Sequence, residues 1–199
     1  MKGQEITNLW PRKLRDSKMA FIPEDRYEKG LCKDMLICEN MIAGYHGKKE
    51  ICKYGFINEK KMREKMDCLI EEYDIRVSDK KGFISSLSGG NAQKIIIARE
   101  FDSDPELLIA AQPTRGVDIG AIEYIHQSLL NLQNQGKSIL LVSSELSEIM
   151  NLSDRILVMF KGEIIGEVNT KDTTRDEIGY LMAGIRKDKK DETVETQTS

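Results

Sequence analysis

From Pro105 onward, apolar runs alternate with segments of helical period, and this restricts the fold more than any other feature of the chain. Residues 107–111 (LLIAA), 139–143 and 155–160 are apolar runs of strand length. Between the first two, Ile122, Ile125, Leu129 and Leu132 recur at helical spacing over 119–133, until Gly136 stops the pattern. Strand, crossover helix and strand form the unit of a parallel sheet flanked by helices, so the class expected is α/β.

The flanks are plainer. Lys161-Gly162 joins 155–160 to a β-branched stretch at 163–168, as in a hairpin. Residues 174–183 read as a last helix. The final stretch, 186–199 (RKDKKDETVETQTS), is almost wholly polar and is expected to be a disordered tail. In the middle, Asn58 is placed to cap a helix with Met62, Met66, Leu69, Ile70 and Tyr73 on one stripe, and with 34–43 this suggests a helical insert. Met35, Met41, Met62 and Met66 read as core filling, the favoured view, or as soft contact surface.

With 199 residues the chain can bury a core without disulfides. Its 30 basic and 33 acidic residues leave a formal charge of -3, which gives no general attraction to nucleic acid or an anionic membrane. Cys32, Cys38, Cys52 and Cys68 make no CxxC pair and no zinc spacing, and read as reduced thiols. The apolar runs fall far short of the roughly 20 residues a spanning helix needs. The start, MKGQEITNLW, lacks the apolar stretch of a signal peptide.

Ser86-Leu87-Ser88-Gly89-Gly90-Asn91 leads directly into AQKIIIAREF, a helix with a serine and two glycines at its start. Free amides there, a positive helix end and the absence of Cβ atoms suit phosphate oxygens. For the glycines alone, a capped helix after a turn explains as much.

The motifs do not stand alone. FIPEDR with Gly30-Leu31, LSGGNAQK, QPTRGVDIGA and VSSELSEIMNLSDRILVMFKGEI follow one another in an order that resembles the ATP-binding subunit of an ABC transporter, over residues 3–185. The likeness is strongest to the second of two ATP-binding halves in bacterial importers of simple sugars and nucleosides, and AAQPTRG inclines it to nucleosides. The resemblance implies a P-loop NTPase-like ABC ATP-binding domain: partial core over 1–33, helical subdomain over 34–87, and core with signature helix and parallel strands over 88–185. It further implies that two such units close head to tail on ATP. Ser88, Gly89, Gly90 and Asn91 would then meet the phosphates of an ATP carried mainly by another domain. Asn91 stands where many relatives have Gln.

A P-loop needs GxxxxGK[ST] between a strand and a helix, and the sequence has no match. The nearest imitation, NLQNQGKS at 131–138, has Asn131 where the first Gly belongs, so Lys137 reads as a solvated turn residue. GYHGKK at 44–49 fails on spacing. By the resemblance the P-loop and its strand would precede Met1, and without them the chain is expected to fold poorly or to associate.

The family's Mg-organising Asp falls on Ala111 and its water-activating Glu on Gln112. A methyl group cannot hold a hydrated cation, and an amide cannot take a proton from water. Loss of a general base costs ~10²- to 10⁴-fold in rate, about 3 to 5 kcal/mol of barrier. Glutamine positions the attacking water in some GTPases, so Gln112 alone decides nothing. The family's switch histidine falls on Ser144, and neither His46 nor His126 stands there. The chain alone is therefore expected not to hydrolyse ATP, with Mg²⁺ held by the partner domain. Asp118 occupies the position that contacts the opposite unit, and it equally suits a helix N-cap. Glu24 or Asp25, in PEDR at 23–26, could serve as a coupling loop or form a surface turn with an Asp25–Arg26 pair.

The company so implied is a first ATP-binding half or second ATPase subunit, transmembrane permease subunits and, indirectly, an extracellular solute-binding protein, with the chain peripheral on the cytoplasmic membrane face. The competing class is an LSGG-containing ATPase domain acting on DNA or ribosomes. Such chains carry long coiled-coil arms or basic linkers, whereas the 34–87 insert is short and of mixed charge. A remnant that keeps only the pattern is the third reading.

Overall fold

The computed structural model describes Gly3 and residues 5–185, so the expectation for 186–199 lies outside the described residues. The elements in chain order are α1 (Pro11–Asp16), β1 (Met19–Ile22), α2 (Ile37–Ile42), β2 (Cys52–Lys53), β3 (Phe56–Ile57), α3 (Glu59–Glu72), α4 (Gly89–Phe101), β4 (Leu107–Ala111), α5 (Ile119–Asn134), β5 (Ser138–Val142), α6 (Leu146–Leu152), β6 (Arg155–Phe160), β7 (Glu163–Asn169) and α7 (Arg175–Met182). A π-helical turn, Arg26–Gly30, follows β1. The chain forms two compact units, one up to Ser144 and one from Glu145.

The first unit contains the parallel sheet, in the order β1-β4-β5. Met19 faces Leu107 and Ile22 faces Ala110, while Leu107 faces Ser138 and Ala111 faces Val142. Ala20, Ile22, Leu108 and Ala110 are buried. Helix α4 packs along β1 and α2. It is enclosed over most of its length: Ala92, Ile95, Ile96, Ile97 and Ala98 are buried, and so are the charged Arg99 and Glu100. Helix α5 buries one face through Ala121, Ile125, Leu129 and Leu132, with Ile122 at its margin. Strand β5 is the outer strand of the described sheet, and its Leu140 and Val142 are each 50% exposed.

The helical insert consists of α2 packed on α3. Asn58 caps α3 by accepting from the Lys61 amide at 3.1 Å. Met62, Met66 and Leu69 are buried, Ile70 and Tyr73 half-buried, and Tyr73 meets Phe101 edge to face at 6.5 Å. Asn40 organises the other end: its Oδ1 accepts from the Cys32 amide at 2.8 Å, and its Nδ2 donates to the Cys32 and Leu36 carbonyls. Met41 is core as expected, but Met35 is 41% exposed. Its carbonyl accepts from the Ile84 amide, and that backbone link leaves the thioether outside.

In the second unit, β6 pairs antiparallel with β7 in a sheet of two strands. The βαβ pattern thus ends at β5, because the hairpin gives β6 its hydrogen-bond partner. Lys161 and Gly162 both have positive φ, the conformation a tight hairpin turn demands. Ile156, Val158 and Ile178 form a small core with Leu146, Ile149 and Leu181 against it.

Candidate functional site

The N-terminus of α4 is built by local chemistry. Ser88 caps it in an extended conformation, its Oγ accepting from the Asn91 amide at 3.4 Å and from Asn91 Nδ2 at 3.0 Å. The Ser88 carbonyl accepts from the Ala92 amide. The amides of Gly89 and Gly90 precede the helix's own carbonyls, so they are the donors a helix start offers to an incoming anion. Asn91 Oδ1 accepts from the Arg76 amide at 2.8 Å, which ties the segment before the signature to the same end. An open recess of about 580 Å³, lined by residues including Ile75, Arg76, Ser86, Ser88 and Asn91, adjoins this end on the side of Ser88.

Both glycines are close-contact positions. A Cβ on Gly90 would lie 2.9 Å from Asp118 Oδ2 and 3.2 Å from the Ala121 Cβ. A Cβ on Gly89 would lie 3.0 Å from Arg26 Nη1 and 3.3 Å from the Gly116 carbonyl oxygen. The signature is therefore packed against the loop 112–118 by its lack of side chains. Asp118 caps α5 there, Oδ1 accepting from the Ala121 amide at 2.9 Å, while Oδ2 lies against Gly90.

The PEDR loop completes the cluster. Glu24 is ion-paired with Arg115. Asp25 caps the π-helical turn, accepting from the Glu28 and Tyr27 amides at 2.9 Å each, and these N–H donors hold its carboxyl below the usual range. Arg26 does not close a local pair with Asp25 as the sequence suggested. Nη1 donates to the Gly89 carbonyl at 2.8 Å, and Nη2 donates to the Arg115 carbonyl.

At the C-terminal end of β4, Ala111 faces Val142. Gln112 has φ 48°, donates its amide to the Val142 carbonyl at 2.7 Å, and accepts on Oε1 from the Ser144 amide and hydroxyl, each at 3.3 Å. Two of the three positions singled out as chemically neutral thus touch. A hydrated Mg²⁺ needs oxygen ligands, preferably carboxylate. This strand end supplies a methyl group and an amide already engaged on Ser144, so the residues do not fit the ion. Among the described residues, no cluster of His, Cys, Asp and Glu is arranged to hold a metal. His46 lies exposed in a loop and His126 lies within α5.

Lys137, in the P-loop imitation, is not solvated. It pairs with Asp104, which Lys18 also contacts at 2.8 Å. Arg26 was read from sequence only as the partner of Asp25, and the buried pair Arg99 and Glu100 was missed. No local pattern marks them, although a doubly charged Arg-Glu step after an apolar helix run is a signal worth reading.

These features define an ATP-binding cassette: a parallel sheet, an enclosed helix opening on LSGG, and the PTRGVD loop packed on its first turn. No protein-family model matches the chain. It is 50% identical over 184 residues to the guanosine import ATP-binding protein NupO of Bacillus subtilis (strain 168), covering 92% of the chain and 36% of that protein. It is 46% identical over 184 residues to the nucleoside import ATP-binding protein NupA of Lactococcus lactis subsp. cremoris (strain MG1363), with the same coverage of each. A nucleotide-free ATP-binding cassette from an ABC transporter superposes with a TM-score of 0.67 at 26% identity, over 85% of this chain and 68% of that one. The chain has the fold of an ABC ATP-binding cassette, and it spans about a third of the length of the curated relatives it matches. Among the described residues no helix is long and apolar enough to cross a membrane.

Proposed function

We propose that this chain works as the catalytically degenerate second half of an importer's ATP-binding subunit, with nucleosides the favoured cargo and simple sugars the alternative. Its Ser88, Gly89 and Gly90 grip the phosphates of an ATP held mainly by a partner cassette, which also holds the Mg²⁺. Asp118 contacts that partner, and Glu24 and Asp25 lie on a loop suited to relay closure to permease subunits at the cytoplasmic membrane face. On this reading 1–33 and 88–185 act as core and 34–87 as the helical subdomain between them.

One juxtaposition carries the reading. The start of α4 is capped by Ser88, which borders an open recess, and its glycines are packed against the 112–118 loop. The end of β4, where hydrolysis needs a carboxylate, presents Ala111 and a Gln112 whose carbonyl is engaged on Ser144. Such a protein binds a shared nucleotide and leaves its cleavage to another site.

The test is ATP-driven uptake by the whole import complex. Ser88→Arg fills the phosphate seat and abolishes uptake. Gln112→Ala costs far less than the ~10²-fold or more that loss of a general base brings. A larger loss from Gln112→Ala than from Ser88→Arg reverses the assignment, and robust ATP turnover by the purified chain without a second subunit refutes it. Co-purification with permease subunits separates transport from an ATPase of DNA or ribosomes.

A further inference from the structure

Arg26 has no assigned part in binding, yet one guanidinium joins three segments distant in sequence. Nη1 bonds the carbonyl of Gly89, the first residue of α4, and Nη2 bonds the carbonyl of Arg115, in the loop that delivers Asp118. The PEDR loop is fastened to Arg115 a second time through Glu24. Asp25 fixes the turn from which Arg26 departs by capping it on two amides. Gly89 is part of the device, since a Cβ there would stand 3.0 Å from Nη1.

We propose that Arg26 is the positioning residue of the phosphate seat: it registers the first turn of α4 against the Asp118 loop and polarises the peptide that presents the Gly90 amide. The carbonyl of Gly89 and the N–H of Gly90 belong to one peptide unit. A cation bonded to that carbonyl draws electron density toward oxygen, which makes the N–H a better donor to an anion, as in any hydrogen-bond chain. The same holds for the Arg115 carbonyl and the Gly116 N–H. A fork with two parallel donors is what guanidinium supplies and ammonium does not. The proposal rests on the reading of α4 as a phosphate seat, and deepens it by naming what holds the seat in shape.

Two measurements test it separately from that reading. In the chain itself, Arg26→Ala releases both carbonyls, so the first turn of α4 and the Asp118 loop open more often, and the Ala92 and Ala121 amides, bonded to the Ser88 carbonyl and to Asp118 Oδ1, exchange with solvent roughly ten- to hundred-fold faster, the worth of a hydrogen bond from a charged group. Arg26→Lys, which keeps charge but cannot fork, falls between. Unchanged exchange at both amides in both variants overturns the clip. In the intact import complex, Arg26→Ala raises the apparent KM for ATP by roughly tenfold or more, because fewer molecules hold the competent seat. The amount of assembled complex stays constant and Arg26→Lys partly restores KM. A residue that only stabilises the fold would lower the amount of complex and the maximal rate with KM unchanged, and that result refutes the proposal. Ser88→Arg is run alongside: if it leaves uptake intact, the seat itself is misassigned, whereas loss with Ser88→Arg and wild-type KM with both Arg26 variants sinks the Arg26 inference alone.

Discussion

Replacing Glu100 by alanine tests what holds the signature helix to the rest of its unit. The carboxylate is fully buried. Its Oε2 accepts from Arg15 Nη1 at 2.9 Å, the Tyr45 hydroxyl at 2.9 Å and the Phe21 amide at 3.4 Å, while Oε1 accepts from Arg99 Nε at 2.9 Å. Arg99 carries the link onward, donating to the Gly30 carbonyl at 3.0 Å and the Asn40 carbonyl at 3.2 Å. Alanine leaves the buried Arg99 guanidinium without its counter-charge, a loss of about 3 to 5 kcal/mol. Arg15 is 25% exposed and recovers hydration, so its share is small; the Tyr45 hydroxyl adds about 1 kcal/mol. The reporter is Cys38, fully buried on α2 next to Asn40, with burial pushing its thiol pKa up so that it resists alkylation until the region opens. At about 1.4 kcal/mol per decade, Glu100→Ala speeds labelling of Cys38 by roughly 10³- to 10⁴-fold, followed by peptide mass spectrometry. Glu100→Gln, which keeps the shape but turns a donor toward donors, lies between. Labelling of Cys38 in Glu100→Ala within about threefold of wild type shows that the carboxylate does not hold α2 to α4, and the reasoning fails.

Two further outcomes follow from the geometry. Gly90→Ala drives a methyl into Asp118 Oδ2 and weakens the α5 cap by about 1 kcal/mol, and in a double-mutant cycle with Asp118→Ala the two changes couple by more than ~0.5 kcal/mol; strict additivity in chemical denaturation would show that the contact is absent. Asp104, held first by Lys137 and then by Lys18, has its carboxyl pulled down to about 2. Its contribution to stability is complete above the ordinary carboxylate range and drains away as pH falls toward 2. Carboxyl ¹³C shifts should place its midpoint near 2 and move it upward in Lys137→Met, and a midpoint in the ordinary carboxylate range refutes the pairing.

The periodic part of the fold was open to reading because it is written by neighbours in the chain. The stripes of α3 and α5, the caps Asn58, Ser88 and Asp118, and the turn at Lys161-Gly162 each depend on residues a few positions apart. Where side chains can choose distant partners the reading failed. Lys137 turned from solvent to Asp104, and Arg26 bonded distant carbonyls in place of Asp25.

Sequence alone determined which pieces exist, their order, and which positions carry no carboxylate, because backbone propensity, capping and residue chemistry are local properties. Tertiary structure alone decided that Arg26 reaches carbonyls 63 and 89 residues away, that Glu100 collects four donors from four segments, and that both signature glycines abut the loop of Asp118. A buried charge takes whatever partners packing brings within 3 Å or so, and packing is settled by the whole chain at once.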